Sequence, residues 1–185
     1  GDRIVINSGT LTVNGGTISC GHDQAIHTSA YVNGTETLSQ PVKCTINNGM
    51  IQGGNWGVVI FGDGEGKNDH SVLNITGGTI SAEGQGIATN ASDGKYAGFT
   101  INMTGGTVSG DCGIYLPGEG VTNIYEDASV IGGTQGVRIA SGVLNVYGGT
   151  ITANAPQNHN EGFIPGASGG TNGAIAVGKA SSGYV

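Results

Sequence analysis

Val72-Leu-Asn-Ile-Thr-Gly-Gly-Thr-Ile-Ser81 is the stretch on which the reading of this chain turns. Leu73 and Ile75 alternate with Asn74 and Thr76, the period of two expected of a strand with one covered face. Gly77-Gly78 interrupts the alternation, and Thr79-Ile80-Ser81 resumes it around a single apolar residue. Ten residues therefore predict two short strands joined by a glycine corner.

The pattern returns along the chain. Thr10–Ser19, Lys43–Gln52, Thr100–Ser109 and Val143–Thr152 repeat it, and Val121–Tyr125 leading into Ala128–Ile131 is a looser copy. One inward column then reads Leu11/Val13, Cys44/Ile46, Leu73/Ile75, Ile101/Met103, Thr122/Ile124 and Leu144/Val146. The second strand contributes Ile18, Ile51, Ile80, Val108, Val130 and Ile151. After a further turn, a third strand begins at Ala25-Ile26, Gly57-Val58, Gly86-Ile87, Gly113-Ile114, Gly136-Val137 and Gly173-Ala-Ile175. The opening Ile4–Gly9 matches Val137–Gly142, which sets Ile4 and Ile6 opposite Val137 and Ile139 as a third strand without its first two. Three short strands per repeat predict an all-β fold of about six stacked coils, a parallel β-helix or β-solenoid. Each coil would pair with its neighbours at about 4.8 Å, and each stacked aliphatic would contribute roughly 1.5–3 kcal/mol on burial.

The units begin at residues 10, 43, 72, 100, 121 and 143, so the spacing is uneven and insertions are tolerated. Residues 29–42 and 153–171 are the two insertions, the second carrying His159, Glu161 and Phe163. Residues 1–185 read as a single β-helix segment, with Tyr184-Val185 placed where a seventh first strand would begin; the expectation is a piece of a longer array.

Composition agrees. Glycine supplies 38 of 185 residues, while 36% are hydrophobic, 10% charged and 5% aromatic. That much glycine would cost a helix bundle about 1 kcal/mol per position, and the strict triplet of collagen is missing. No apolar run approaches the roughly 18 residues of a membrane span, so membrane insertion is not expected. Thirteen acidic and six basic residues give a net charge of −7. Arg3, Lys43, Lys67, Lys95, Arg138 and Lys179 form no basic stripe, which argues against nucleic acid as a partner. Cys20, Cys44 and Cys112 are odd in number and lack metal-ligand spacing, so they read as small packed residues.

The corner between second and third strands collects candidate ligand-binding residues: His22 and Asp23, then Asn55 and Trp56, then Glu83 and Gln85, then Asp111. An indole face accepts a sugar ring and carboxylates accept its hydroxyls, so a glycan is the expected ligand; the plainer alternative is that Trp56 covers the interior and the acids are solvated. Asp23, Glu83 and Asp111 could also supply the paired carboxylates of glycoside hydrolysis, but an acidic array offers such pairs by chance. Asp63, Glu65 and Asp69, in a glycine-rich run, are weak hard-oxygen candidates for calcium without EF-hand spacing, and a solvated turn is the preferred account of them. No catalytic residue, resident metal or cofactor is otherwise expected. Thr12, Thr45, Asn74, Asn102, Asn123 and Asn145 should stack outward, as should Thr17/Ser19, Thr79/Ser81, Thr107/Ser109 and Thr150/Thr152. Met50/Gln52 and Ile131 interrupt the flat array that an ice-binding surface needs, so the ladders read as polar cover. Asn33, Asn74, Asn90 and Asn102 stand in glycosylation sequons, which chance explains in so Asn- and Thr-rich a chain.

The repeat resembles the right-handed parallel β-helix of the pectin-lyase-like superfamily, and its Gly9–Ser19 run is similar to repeats of large bacterial cell-surface, adhesin-like proteins. The resemblance implies an extracellular or cell-surface stalk or adhesive module, with a glycan or host-surface ligand as partner. Pectin hydrolases of this superfamily carry Asn-Thr-Asp, Asp-Asp, Gly-His-Gly and Arg-Ile-Lys motifs. Gly21-His22-Asp23 and Val137-Arg138-Ile139-Ala140 echo only two of them, and Arg138 lacks the basic company of a pectate lyase. A carbohydrate-active enzyme, a structural spacer and a trimeric phage tailspike are the alternatives on the same fold.

Overall fold

The computed structural model describes residues 3–32, 36–37, 41–62, 70–89, 98–154 and 173–177, and among these there is no helix. The strands are β1 (Arg3–Asn7), β2 (Thr10–Ser19), β3 (Gln24–Ser29), β4 (Tyr31–Val32), β5 (Glu36–Thr37), β6 (Val42–Gly53), β7 (Trp56–Phe61) and β8 (Ser71–Ile75). They continue as β9 (Thr79–Ala82), β10 (Gln85–Thr89), β11 (Phe99–Leu116), β12 (Gly120–Ile139), β13 (Val143–Val146), β14 (Thr150–Ala153) and β15 (Gly173–Val177). Thirteen of them form one sheet whose pairings are all parallel. β4 and β5, inside the first insertion, form a separate antiparallel pair.

The register follows three tracks. In the first, Leu11, Cys44, Leu73, Ile101, Thr122 and Leu144 are successive partners, and Val13, Ile46, Ile75, Met103, Ile124 and Val146 run beside them. The second joins Ile18, Ile51, Ile80, Val108, Val130 and Ile151. The third joins Val5, Ile26, Val58, Ile87, Ile114, Val137 and Ile175. Most of these side chains in the middle repeats are fully buried and form one continuous core. Alternating aliphatics thus gather on one face because every repeat presents them at the same register position.

Strand boundaries differ from the sequence reading. β11 runs unbroken through what reads as three short strands, bending at register shifts between Met103 and Gly105 and between Gly110 and Cys112. Pairing on both sides keeps the backbone bonded through the corners. Between the first and second tracks, Gly16, Gly49, Gly78, Gly106 and Gly149 all take φ between 78° and 101°, a left-handed conformation that suits glycine. Toward the third track a different glycine column is used for space: a Cβ at Gly57 would lie 2.6 Å from Ile80 Cγ2, and one at Gly113 2.6 Å from Val130 Cγ1.

One sequence expectation needs correction. β1 is a third-track strand, but Val5, not Ile4, meets Ile26, so Asn7 takes the inward place expected for Ile6. Ile4 and Ile6 are instead 55% and 65% exposed. Hydrogen bonding sets this register: Asn7 Nδ2 donates to Thr28 Oγ1 (3.1 Å) and Lys43 O (3.0 Å), while its Oδ1 accepts from Gly9 N (3.1 Å). Asn7 has its hydrogen bonds inside the fold, and a one-residue slip sends both isoleucines outward.

Candidate functional site

The corner leading into the third track is where the expected site residues fall. Gln24, Trp56, Gln85, Cys112 and Gln135 are register partners there. Main-chain bonds bring the expected residues together in pairs. Trp56 N donates to Asp23 O (3.2 Å), Gln85 N to Asn55 O (2.8 Å), and Asp111 N to Glu83 O (3.2 Å). Their surroundings differ. His22, Asn55, Glu83 and Asp111 are exposed, Trp56 and Gln85 are half-buried, and Asp23 is buried. The three carboxylates therefore do not share one solvent-facing row: Asp23 turns inward while the other two face water.

Beside this corner lies a groove of about 350 Å³, lined by Ser19, Gln52 and Ser81 on the second track and by Cys20, Gly21, Gly53, Gly54, Ala82 and Glu83 along its floor and edge. Ser19, Gln52 and Ser81 are register partners, so two hydroxyls and an amide stand in line. Small floor residues leave the groove open, and Glu83 is the one expected site residue on its wall. Ser19 and Ser81 were legible as ladder positions and Gln52 as an interruption in the same column; their joint concavity emerges only when three repeats are stacked. Farther along, Thr134 Oγ1 donates to Asp111 O and Oδ2, both at 3.1 Å, fixing that carboxylate in a way its own repeat does not announce.

Groups with perturbed titration are buried, Cys112 within this corner column and Cys44 and His27 away from the groove. Burial pushes the Cys44 thiol up to about 11 and the Cys112 thiol to about 12, so neither is a thiolate nucleophile at neutral pH. All three cysteines are free and buried. Burial, assisted by Arg3, lowers the His27 imidazole to about 4. Its Nδ1–H donates to Gln24 Oε1 (2.8 Å) and its ring meets Phe61 edge-on at 4.7 Å.

The outward ladder forms as read. Asn145 Nδ2 donates to Asn123 Oδ1 (2.9 Å), Asn123 to Asn102 (2.9 Å) and Asn102 to Asn74 (3.0 Å). On the second track Thr17, Met50, Thr79, Thr107, Ser129 and Thr150 are successive partners, with Met50 breaking the hydroxyl column. Asp63, Glu65 and Asp69 lie outside the described residues, as do Asn33, Asn90, His159, Glu161, Phe163, Tyr184 and Val185. Among the described residues no three His, Cys, Asp or Glu side chains gather as a metal ion would require, and no helix is long and apolar enough to cross a membrane. Comparison with protein-family models, with curated proteins and with solved structures returned no match.

Proposed function

We propose that this chain is a right-handed parallel β-helix acting as an extracellular, cell-surface stalk or adhesive module, and that it holds a glycan against the polar corner between its second and third tracks. The observation that carries the reading is the groove: Ser19, Gln52 and Ser81 in line, with Glu83 on the wall and half-buried Trp56 at the neighbouring corner. Hydroxyls, an amide and a carboxylate repeated at strand spacing match a ligand that offers hydroxyls at short, regular intervals. The parallel tracks support the β-helix part, since among the described residues each strand of the large sheet pairs one repeat away and only the inserted β4–β5 pair lies within a single repeat; right-handedness follows the general rule for parallel crossovers. A net charge of −7 and polar outer ladders suit an aqueous surface setting.

A glycan array, followed by calorimetry on any hit, tests this. Binding should fall at least tenfold in Gln52→Ala and Glu83→Ala, both exposed positions, with an unchanged melting temperature. Retention of no glycan at all would leave a structural spacer in its place. Release of reducing ends from a bound polysaccharide would move the reading to an enzyme.

A further inference from the structure

Four repeats turn from the first track to the second through two successive glycines, Gly15-Gly16, Gly77-Gly78, Gly105-Gly106 and Gly148-Gly149. The repeat Lys43–Gln52 differs: Asn48 stands in the first place and Gly49 in the second. Gly49 keeps the left-handed backbone of its counterparts, with φ of 101° against 78° to 81° for Gly16, Gly78, Gly106 and Gly149. The corner therefore has no architectural need of the Asn48 side chain, which is exposed. Its carboxamide turns back on the main chain instead: Gly49 N donates to Asn48 Oδ1 at 2.8 Å.

That contact has chemical meaning. An asparagine loses its amide when the backbone nitrogen of the next residue attacks the side-chain carbonyl carbon, and a glycine in that place leaves the approach open and the backbone free to close the ring. A nitrogen at hydrogen-bond distance from Oδ1 is also near Cγ, since a C=O bond of about 1.23 Å joins the two atoms. The pairing of β2 with β6 shifts register on both sides of Asn14 and Asn48, so no continuous ladder clamps the main chain here. Asn14-Gly15 is the internal comparison. It is the same dipeptide, exposed beside the same corner, but Asn14 Oδ1 accepts from Asn47 Nδ2 at 2.8 Å, which holds its carboxamide toward the neighbouring repeat.

We propose that Asn48-Gly49 is a self-modification site, at which the folded chain converts its own amide to aspartate and isoaspartate and thereby loosens this corner. Gly49 N bonds to Asn48 Cγ, the Cγ–Nδ2 bond breaks, and the proton of Gly49 N ends on the departing nitrogen, which leaves as ammonia. The five-membered imide that remains is opened by water. Cleavage at Cγ gives aspartate, and cleavage at the Asn48 main-chain carbon gives isoaspartate. Water is the only co-reactant, and nothing is oxidised or reduced. Isoaspartate adds a methylene to the main chain where there is little room for it: a Cβ on Gly49 would stand 2.7 Å from Gly16 O, and one on Gly78 2.8 Å from Gly49 O. The chemistry needs no ligand in the groove.

Peptide mapping of the folded chain, aged in mildly alkaline buffer, tests this, with electron-based fragmentation to tell isoaspartate from aspartate. Conversion at Asn48 should be about tenfold or more faster than at Asn14, because Asn14 must first open locally to release its bond. In denaturant the two sites should convert at similar rates. Isoaspartate should be the larger product at Asn48, and the melting temperature should fall as it accumulates. Asn48→Gly restores the glycine pair of the other repeats, so it should fold normally and lose less melting temperature on ageing. Equal rates at Asn14 and Asn48 in the folded chain would overturn the proposal, since sequence alone would then account for both. So would an unconverted Asn48, aspartate without isoaspartate, or an equal loss of melting temperature in aged Asn48→Gly.

Discussion

Gly15 and Gly16 are adjacent and chemically identical, yet the fold treats them differently. Gly16 has φ of 81°, whereas Gly15 lies outside the left-handed region, and neither has an atom within 4 Å of an added Cβ. Gly78 combines φ of 78° with the carbonyl oxygen of Gly49 only 2.8 Å from where its Cβ would stand. Gly15→Ala should therefore be neutral or stabilise by about 0.4–1 kcal/mol, by restricting the unfolded chain. Gly16→Ala should cost about 1–2 kcal/mol in backbone strain, and Gly78→Ala more than Gly16→Ala. Urea unfolding midpoints of the three variants rank them; an equal loss at all three would mean that the corners do not discriminate. His27 supplies a second residue-scale test. Its imidazole takes a proton near pH 6.5 when unfolded and near 4 when folded, so between those values the unfolded chain binds the extra proton. Stability should fall as pH drops through that window, by up to about 3 kcal/mol, and level off below it. His27→Leu should show a flatter acid limb in denaturant melts, and an unchanged limb would remove His27 as its cause.

At the scale of the element, the asparagine ladder is the cleanest case, because its members differ only in how many neighbours they have. Asn102 donates to Asn74 and accepts from Asn123, whereas among the described residues Asn145 donates to Asn123 and accepts from no further asparagine. Asn102→Ala should cost about 1–2 kcal/mol and Asn145→Ala about half as much, read from thermal or urea melts. Equal costs would show that the ladder is polar cover without directional bonding. The ladder was legible because Asn74, Asn102, Asn123 and Asn145 each stand one place before an apolar inward residue, respectively Ile75, Met103, Ile124 and Val146. The three inward tracks were legible for the same reason. β1 was not: Ile4-Val5-Ile6 is an apolar run without alternation, so only the bonds of Asn7 choose its register. The groove was partly legible, since the sequence lines up Ser19, Gln52 and Ser81 but says nothing about the depth that Gly53 and Gly54 leave beside them. The stacking of Tyr125 on Tyr147 was not legible, because each looks like an isolated surface aromatic until the repeats come together.

Across the whole molecule, cover is uneven in a regular way. Ile46, Ile75 and Met103 are at most 1% exposed, but Val146 at the same register position is 48% exposed, as is Ile175 on the third track. β13, β14 and β15 each pair only with β12 among the described residues, while β11 is paired on both sides. A structure in which each repeat contacts chiefly its neighbours behaves as a one-dimensional array, so local stability should follow the number of neighbours. Amides of β8 to β11 should exchange with solvent slowest, and those of β1 and β13–β15 at least tenfold faster in native hydrogen exchange. Lys or Asp at Val146 should change the β13–β15 rates only slightly, because that side chain is already half in water. The same change at Ile75 should bring the central strands up to the rate of the ends, since a charge would then sit in a column with no access to solvent. Uniform protection from β1 to β15 would mean that the tracks open as one cooperative unit, and stability would then have to be assigned to the sheet as a whole.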